Sequence, residues 1–461
     1  MAGGLDETIA ALSTPAGESG IAVVRMSGAQ ALGVLDAMFS TRGPKAPWEH
    51  RRLYHGHLVD RSGETIDDVM CAVMRAPDSY TGQDTVEISC HGNVLLVRRV
   101  LNLMFSHGAR PAEAGEFTKR AFLNGKMDLI QAEAVADLIH AKSELQRQVA
   151  HRQLSGGLSE RIGSLAGELL ELLGIIEANI DFIEDGIDTI DVPGSLSLLD
   201  RHTRELDDLL KSAEFSKPFR DGYDVVIAGQ VNAGKSSLFN RLIGENRAIV
   251  TDIPGTTRDV IREPIVLEGV VFIVQDTAGL RGTRDRVESI GVDLAEAAVA
   301  KADLVLFVID AAAALPADLA QRLRGLLPDR TIVIMNKMDL PARIDEARFR
   351  HDFPGFRIVH SSVPRGDGLD ELKKTLIEYV GRERLDWVAR ERVVLNARLA
   401  DLLDRARGRI GVLRENLGRR APLEILALDA RDALQLYETA TGKRYTNDLL
   451  DTIFSRFCIG K

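Results

Sequence analysis

The stretch GQVNAGKS, Gly229–Ser236, fits the spacing GxxxxGK[ST], a spacing that suits phosphate. Glycines let successive backbone N–H groups wrap phosphate oxygens, and the N-terminus of the helix that follows adds partial positive charge. Lys235 has the reach for the β- and γ-phosphates, and the Ser236 hydroxyl is a hard oxygen ligand for Mg²⁺. Two companions follow in order. DTAG, Asp276–Gly279, ends the apolar run VVFIVQ; a strand-end aspartate suits the Mg²⁺ water shell, and Gly279 offers an N–H to the γ-phosphate. NKMD, Asn336–Asp339, ends TIVIM. The Asp339 carboxylate can accept from two neighbouring N–H donors of guanine, a bond pair that adenine cannot make. Their order and strand-end placement make the set a specific signal, in which GTP is preferred over ATP.

The nucleotide contacts are expected around these motifs. They comprise Asn232, Ala233, Gly234, Lys235, Ser236 and Ser237 in the phosphate loop, and Asp276, Thr277, Ala278 and Gly279 in DTAG. A segment between them contributes Thr251, Asp252, Ile253, Pro254, Gly255, Thr256 and Thr257, with Thr257 as the second Mg²⁺ ligand. The base side has Asn336, Lys337, Met338 and Asp339, closed by HSSV, in which Ser361, Ser362 and Val363 are candidates and either serine could serve. After DTAG comes Leu280, so the glutamine that orients water in Ras-like enzymes is missing. An apolar side chain cannot polarise water.

The elements that must carry these residues are short apolar runs: DVVIAG, VVFIVQD, ADLVLFVID and RTIVIMNK. Runs apolar on both faces, alternating with helical segments, predict a mostly parallel sheet covered on both sides, spanning about residues 217–381. Before it, residues 1–125 mix β-rich runs (GIAVVRM, DDVMCAVM, DTVEISCHG) with one helical stretch, VLLVRRVLNLMFSHG, and read as an α+β domain. Residues 126–216 and 382–461 both show helical periodicity, the first interrupted near Ser155–Gly157. The expectation is a multidomain α/β chain: an N-terminal α+β domain, an all-α helical domain split in sequence, and a Ras-like P-loop G domain inserted between its halves.

Composition narrows the function. With 461 residues and 45% hydrophobic content the chain can fill several cores. A net charge of −10 argues against holding nucleic acid by broad counterion release. Cys71, Cys90 and Cys458 lie far apart with no CxxC, which fits a reducing cytoplasm. His55 with His57, and Cys90 with His91, lack third and fourth metal ligands at usable spacing. No window approaches eighteen uninterrupted apolar residues, so no membrane segment is expected.

Asn232 within the loop, GTTRD (Gly255–Asp259), DTAGLR (Asp276–Arg281), NKMD and the ending CIGK (Cys458–Lys461) together resemble the bacterial tRNA modification GTPase family called MnmE or TrmE, over essentially the whole chain. The resemblance implies a K⁺-activated GTPase whose G domains dimerise across their nucleotide faces, with Asn232, Thr251, Ile253 and Thr256 as K⁺ ligands where an arginine finger otherwise acts. It makes Glu288 the residue that orients attacking water through a second water, beside Lys235; read alone, Glu288 is a solvated helix carboxylate. Arg258 and Arg281, surface arginines by themselves, would steady the switches. In the N-terminal domain the resemblance implies a folate-binding-like site holding 5,10-methylene-tetrahydrofolate or a related reduced folate through Arg25, Glu87, Lys126 and Lys461. A carboxylate can accept from pterin donors and a cation can pair with the glutamate tail. Cys458 stands open, as a nucleophile or as a small buried apolar residue. The family further implies a cytoplasmic homodimer that joins an FAD-containing MnmG (GidA) partner in a heterotetramer. That assembly would add a carboxymethylaminomethyl or aminomethyl group at C5 of the wobble uridine of certain tRNAs, which the partner largely holds. The alternative is a regulatory or ribosome-assembly GTPase without modification chemistry, for which a basic RNA-binding module is expected and none is found.

Overall fold

The computed structural model describes residues 6–41, 47–181, 190–246, 262–276, 297–381, 385 and 394–461. The chain opens with β1 (Ile9–Leu12), β2 (Ser19–Ser27), α1 (Ala31–Met38), β3 (Phe39–Ser40), β4 (Arg52–Val59) and β5 (Thr65–Met74). It continues through β6 (Thr85–Gly92), α2 (Val94–Ser106), β7 (Arg110–Pro111) and α3 (Glu116–Leu123). Four helices follow: α4 (Leu129–His140), α5 (Glu144–Leu154), α6 (Gly157–Asp181) and α7 (Val192–Asp221). The α/β stretch has β8 (Tyr223–Gly229), α8 (Lys235–Asn246), β9 (Arg262–Leu267), β10 (Val270–Asp276), β11 (Leu304–Asp310) and α9 (Ala317–Arg324). It ends with β12 (Thr331–Asn336), α10 (Glu346–Asp352), β13 (Arg357–His360) and α11 (Leu369–Val380). Last come α12 (Ala397–Gly418), α13 (Leu423–Thr441) and α14 (Asn447–Phe454). These elements form two compact units, Met1–Ala136 with Leu154–Thr203 and Asp401–Lys461, and Asp137–Gln153 with Arg204–Ala400.

In the first unit seven strands order as β3-β4-β5-β6-β2-β1-β7. Alternation along β5 buries Val69, Cys71 and Val73, which meet Val97, Val100 and Met104 of α2 in one core. The Asn93 side chain caps α2 by accepting from the N–H groups of Leu95 and Leu96. Sequence periodicity showed α2 but not α1 or α3, each only eight residues long. In α3 the burial is nearly all-round, so no amphipathic stripe marks it. Leu158, Ile162, Leu165, Leu169 and Leu172 of α6 form a stripe that packs on α13, more than two hundred residues away in sequence. Helix α14 and Phe457 close over Phe122 of α3 and Leu129 of α4, and the tail beyond them reaches Arg25 of β2 through the Gly460 carbonyl.

In the second unit the sheet order is β13-β12-β11-β8-β10-β9, parallel except for the β9–β10 hairpin. All four expected strands are present, and their residues fill two cores, one on each face. Two strands escaped the sequence reading. Pro264 breaks the apolar pattern of β9 and is tolerated because β9 is an edge strand, and β13 has only four residues. Parallel pairing puts the ends of β8, β10, β11, β12 and β13 on one edge of the sheet, where ligands of open α/β sheets bind.

Candidate functional site

The loop after β8 must turn sharply at the sheet edge, and two glycines and one asparagine allow it. Gly229 has φ +121°, Asn232 +60° and Gly234 +97°. A Cβ on Gly229 would lie 2.1 Å from the Val308 carbonyl oxygen, so the loop leaves the sheet against the backbone of β11. Gln230 N–H donates to that same carbonyl at 2.9 Å. Lys235 Nζ donates to the Gln230 carbonyl at 2.6 Å and to that of Gly229 at 3.4 Å, holding its ammonium over its own loop. Ser236 and Ser237 open α8 beside it, and Asn232, Gly234, Lys235 and Ser236 line one side of a cavity of about 830 Å³ whose other walls include Phe307 of β11 and Leu319 of α9.

A buried amide ties the base side to the phosphate loop. Asn336, 2% exposed, donates from Nδ2 to the Ala233 carbonyl at 2.7 Å. Its Oδ1 accepts from Ser361 Oγ at 3.0 Å and from the Val363 N–H at 3.3 Å. The two serines divide their work: Ser361 faces Asn336, whereas Ser362 Oγ donates to Asp339 Oδ1 at 2.6 Å. That hydroxyl is the main reason the Asp339 carboxyl sits below the usual carboxylate range, so it is ionised and ready to accept. Met338 N–H donates to the Ser361 carbonyl, closing the loop pair. Asp276 is buried at the end of β10. Thr251, Asp252, Ile253, Pro254, Gly255, Thr256, Thr257, Arg258, Thr277, Ala278, Gly279, Leu280, Arg281 and Glu288 lie outside the described residues.

Two residues of this edge carried no motif. Gln230 occupies an unspecified position of the GxxxxGK[ST] spacing, yet its Oε1 accepts from the Asp310 N–H at 3.1 Å. Asp310 ends β11 and pairs with Lys337, Nζ to Oδ2 at 2.6 Å. The signal for Asp310 was present, since it is a charge closing the apolar run LVLFVI just as Asp276 closes VVFIVQ.

A second cluster forms in the first unit. Arg25 on β2 faces Glu87 on β6 across the ladder, with Nε and Nη2 both on Oε1 at 2.8 and 2.7 Å. Arg25 Nη1 also donates to the Gly460 carbonyl at 3.3 Å, which Ser13 Oγ reaches at 3.1 Å. The rings of Tyr80 and Phe117 lie 5.8 and 5.7 Å from the guanidinium carbon. The tail is held by its backbone: Ile459 bridges to Ala114, and the Phe117 N–H donates to the Lys461 carbonyl at 3.2 Å. Gly460 has φ +95°, and a Cβ there would fall 2.1 Å from the Leu12 carbonyl oxygen. Lys126 Nζ donates to the Pro77 carbonyl at 3.0 Å, in the loop that carries Tyr80. Ser27, Thr81 and Thr85 pin that loop through a buried hydroxyl cluster. Thus Arg25, Glu87 and the tail converge. Tyr80 and Phe117 were missed because one aromatic in a loop and one in a short helix carry no spacing signal.

Beneath this cluster Arg120, 2% exposed, donates to Glu116, the Glu7 carbonyl and Gln83. Burial works to raise the Glu116 carboxyl, but Arg110, the Glu113 N–H and Arg120 outweigh it and hold the group low. Of the cysteines, Cys71 and Cys90 are buried and Cys458 is exposed, so Cys458 is not the small buried apolar residue it could have been. Burial pushes the Cys90 thiol up to about 11 and Cys71 higher still. No helix among the described residues is long and apolar enough to cross a membrane.

A glycine-turned phosphate loop at the edge of a parallel sheet, cross-braced to an NKMD loop with an ionised aspartate, defines a GTP-hydrolysing P-loop domain within a larger multidomain chain. The family model described as MnmE helical domain matches residues 129–458, and that described as GTP-binding protein TrmE N-terminus matches residues 8–126. The chain is 43% identical over 464 residues to the tRNA modification GTPase MnmE of Geobacter metallireducens, covering 99% of this chain and 100% of the relative. It is likewise 43% identical to the protein of that name from Aquifex aeolicus (99% and 100% covered), and 40% identical to that from Lactiplantibacillus plantarum (99% and 98%). The chain belongs to the MnmE family of tRNA modification GTPases.

Proposed function

We propose that the protein is a K⁺-activated GTPase that, as a cytoplasmic homodimer and with an FAD-containing partner of the MnmG (GidA) type, adds an aminomethyl-type group, carboxymethylaminomethyl among them, at C5 of the wobble uridine of certain tRNAs. The carbon comes from a reduced folate, 5,10-methylene-tetrahydrofolate or a close relative. The observation that carries this reading is the meeting of Arg25, Glu87 and the Gly460 carbonyl, contributed by both ends of the chain. A GTPase domain does not need such a cluster.

The residues suit the groups proposed. Arg25 spends two donors on one oxygen of Glu87, and Glu87 Oε2 takes no bond from any described residue, which leaves it to accept from pterin N–H donors. Arg25 orients that carboxylate, Tyr80 and Phe117 wall the guanidinium, and Lys126 and Lys461 offer cations to a glutamate tail. Exposed Cys458, in the same tail segment as Gly460, is the candidate nucleophile. In the second unit the Asn232 side chain and the Ser236 hydroxyl are the hard donors that K⁺ and Mg²⁺ take, with Thr251, Ile253, Thr256 and Thr257 completing the sets by family resemblance. A cation bound against the phosphates supplies the charge that an arginine finger supplies elsewhere. Lys235 leaves its loop carbonyls for the β- and γ-phosphates, Asp339 reads the base, and Glu288 orients water in place of the absent glutamine.

The test has two arms. GTP hydrolysis is measured in KCl and in NaCl at equal ionic strength, with Asn232→Ala alongside. Strong acceleration by K⁺ that the variant loses is the expected result, and equal rates in the two salts would refute cation activation. Binding of 5-formyl-tetrahydrofolate is measured for the wild type and for Arg25→Ala. No binding by a wild-type protein with intact GTPase activity would remove the one-carbon reading.

A further inference from the structure

We propose that Asp310 is a positioning residue for nucleotide recognition, holding Lys337 at the base loop with its carboxylate and tying that loop to the phosphate loop through Gln230. The inference rests on the reading that the NKMD loop receives the guanine base. Asp310 closes β11 in register with Asn336 at the close of β12, so its side chain stands where the base and phosphate loops diverge. Its two oxygens have separate duties. Oδ2 takes the Lys337 ammonium at 2.6 Å, and Oδ1 accepts from the Ala312 N–H at 2.9 Å. Lys337 has φ +64°, a left-handed backbone uncommon for a side chain of its size, and this turns it back toward β11.

The ion pair is partly shielded, with side-chain exposures of 31% for Lys337 and 15% for Asp310. An ammonium tethered there keeps the four-carbon stem of Lys337 extended as a fixed apolar surface beside the base loop. The Asp310 N–H donates to Gln230 Oε1, while the Gln230 carbonyl takes the Lys235 ammonium. Position 310 thereby links Lys337 on the base side, through its carboxylate, with Lys235 on the phosphate side, through its backbone N–H. This brace is separate from the one through Asn336 and Ala233. The plain alternative is that Asp310 only forms the turn that carries Ala312 and Ala313.

The experiment compares GDP affinity, read with a fluorescent GDP analogue, for the wild type, Asp310→Asn, Lys337→Met and the double variant. Asparagine keeps the turn, because its Oδ1 still accepts from the Ala312 N–H, and removes only the charge that holds Lys337. The expected result is binding about tenfold weaker for Asp310→Asn, a double variant no weaker than Lys337→Met alone, and melting temperatures within about 2 °C of wild type. In hydrolysis the same variant raises KM and leaves kcat near wild type. Wild-type affinity in Asp310→Asn alongside weak binding by Lys337→Met would overturn the positioning role and leave the base-loop reading intact. Losses that add in the double variant would overturn it too. Wild-type affinity in Lys337→Met would overturn both.

Discussion

Replacing Asn336 by aspartate alters one side-chain group and reverses one interaction. The Oδ1 side still accepts from Ser361 and Val363, but where Nδ2 donated to the Ala233 carbonyl at 2.7 Å an oxygen now faces an oxygen. The lost bond is worth about 1 kcal/mol, and a buried carbonyl left unmet costs about 1–3 kcal/mol more. The total of about 3 kcal/mol is enough to shift the phosphate loop out of the pose that binds, and corresponds to affinity for GDP weaker by about 10²-fold. Burial raises such a carboxyl, and in its neutral form the O–H supplies the missing donor, so the defect deepens as pH rises. Titration with a fluorescent GDP analogue at pH 6 and pH 8 measures both effects. Affinity within about twofold of wild type at pH 8 would refute the claim that this amide holds the phosphate loop.

Four further outcomes follow from the geometry. Gly229→Ala sets a methyl against the Val308 carbonyl at a φ that L-residues avoid, so it loses more than about 3 kcal/mol, seen as a lower urea midpoint and absent GDP binding. Because Ser362 holds the Asp339 carboxyl low, the carboxylate persists as pH falls and guanine affinity is lost only on passing through that lowered value; Ser362→Ala moves the loss to higher pH in a pH series of GDP titrations. At pH 8 a thiol reagent titrates one cysteine, Cys458, in the native protein and all three in denaturant, since Cys71 and Cys90 are buried with raised thiols. Arg120→Met removes a buried guanidinium from Glu116, the Glu7 carbonyl and Gln83 while Arg110 still holds Glu116, and it destabilises the first unit by about 2 kcal/mol in chemical unfolding.

The nucleotide site was legible because its chemistry is local. A phosphate loop, an aspartate at a strand end and NKMD each declare themselves within a few residues, and the apolar runs that carry them are long enough to read as buried strands. Motifs also decided which serine does what only up to a point. Ser361 and Ser362 are interchangeable in sequence and became distinct once β13 turned one toward Asn336 and the other toward Asp339. The N-terminal cluster was legible only by resemblance. Arg25, Glu87 and Gly460 meet through strand pairing and tail docking, and neither leaves a trace in spacing. Pro264 in β9 and the all-round burial of α3 show the other limit, where an edge position or full burial removes the periodicity on which the reading depends.

The bond from Arg25 to the Gly460 carbonyl has a consequence for the order in which the protein is made. The two residues are 435 positions apart. At about 5–20 residues per second, a ribosome takes roughly 20–90 s to pass from one to the other. Glu87 reaches Arg25 early, and the whole α/β unit is synthesised before the tail exists. The N-terminal cluster therefore closes only after the α/β unit has been made, and a nascent chain can acquire its nucleotide site while the other site still lacks a wall.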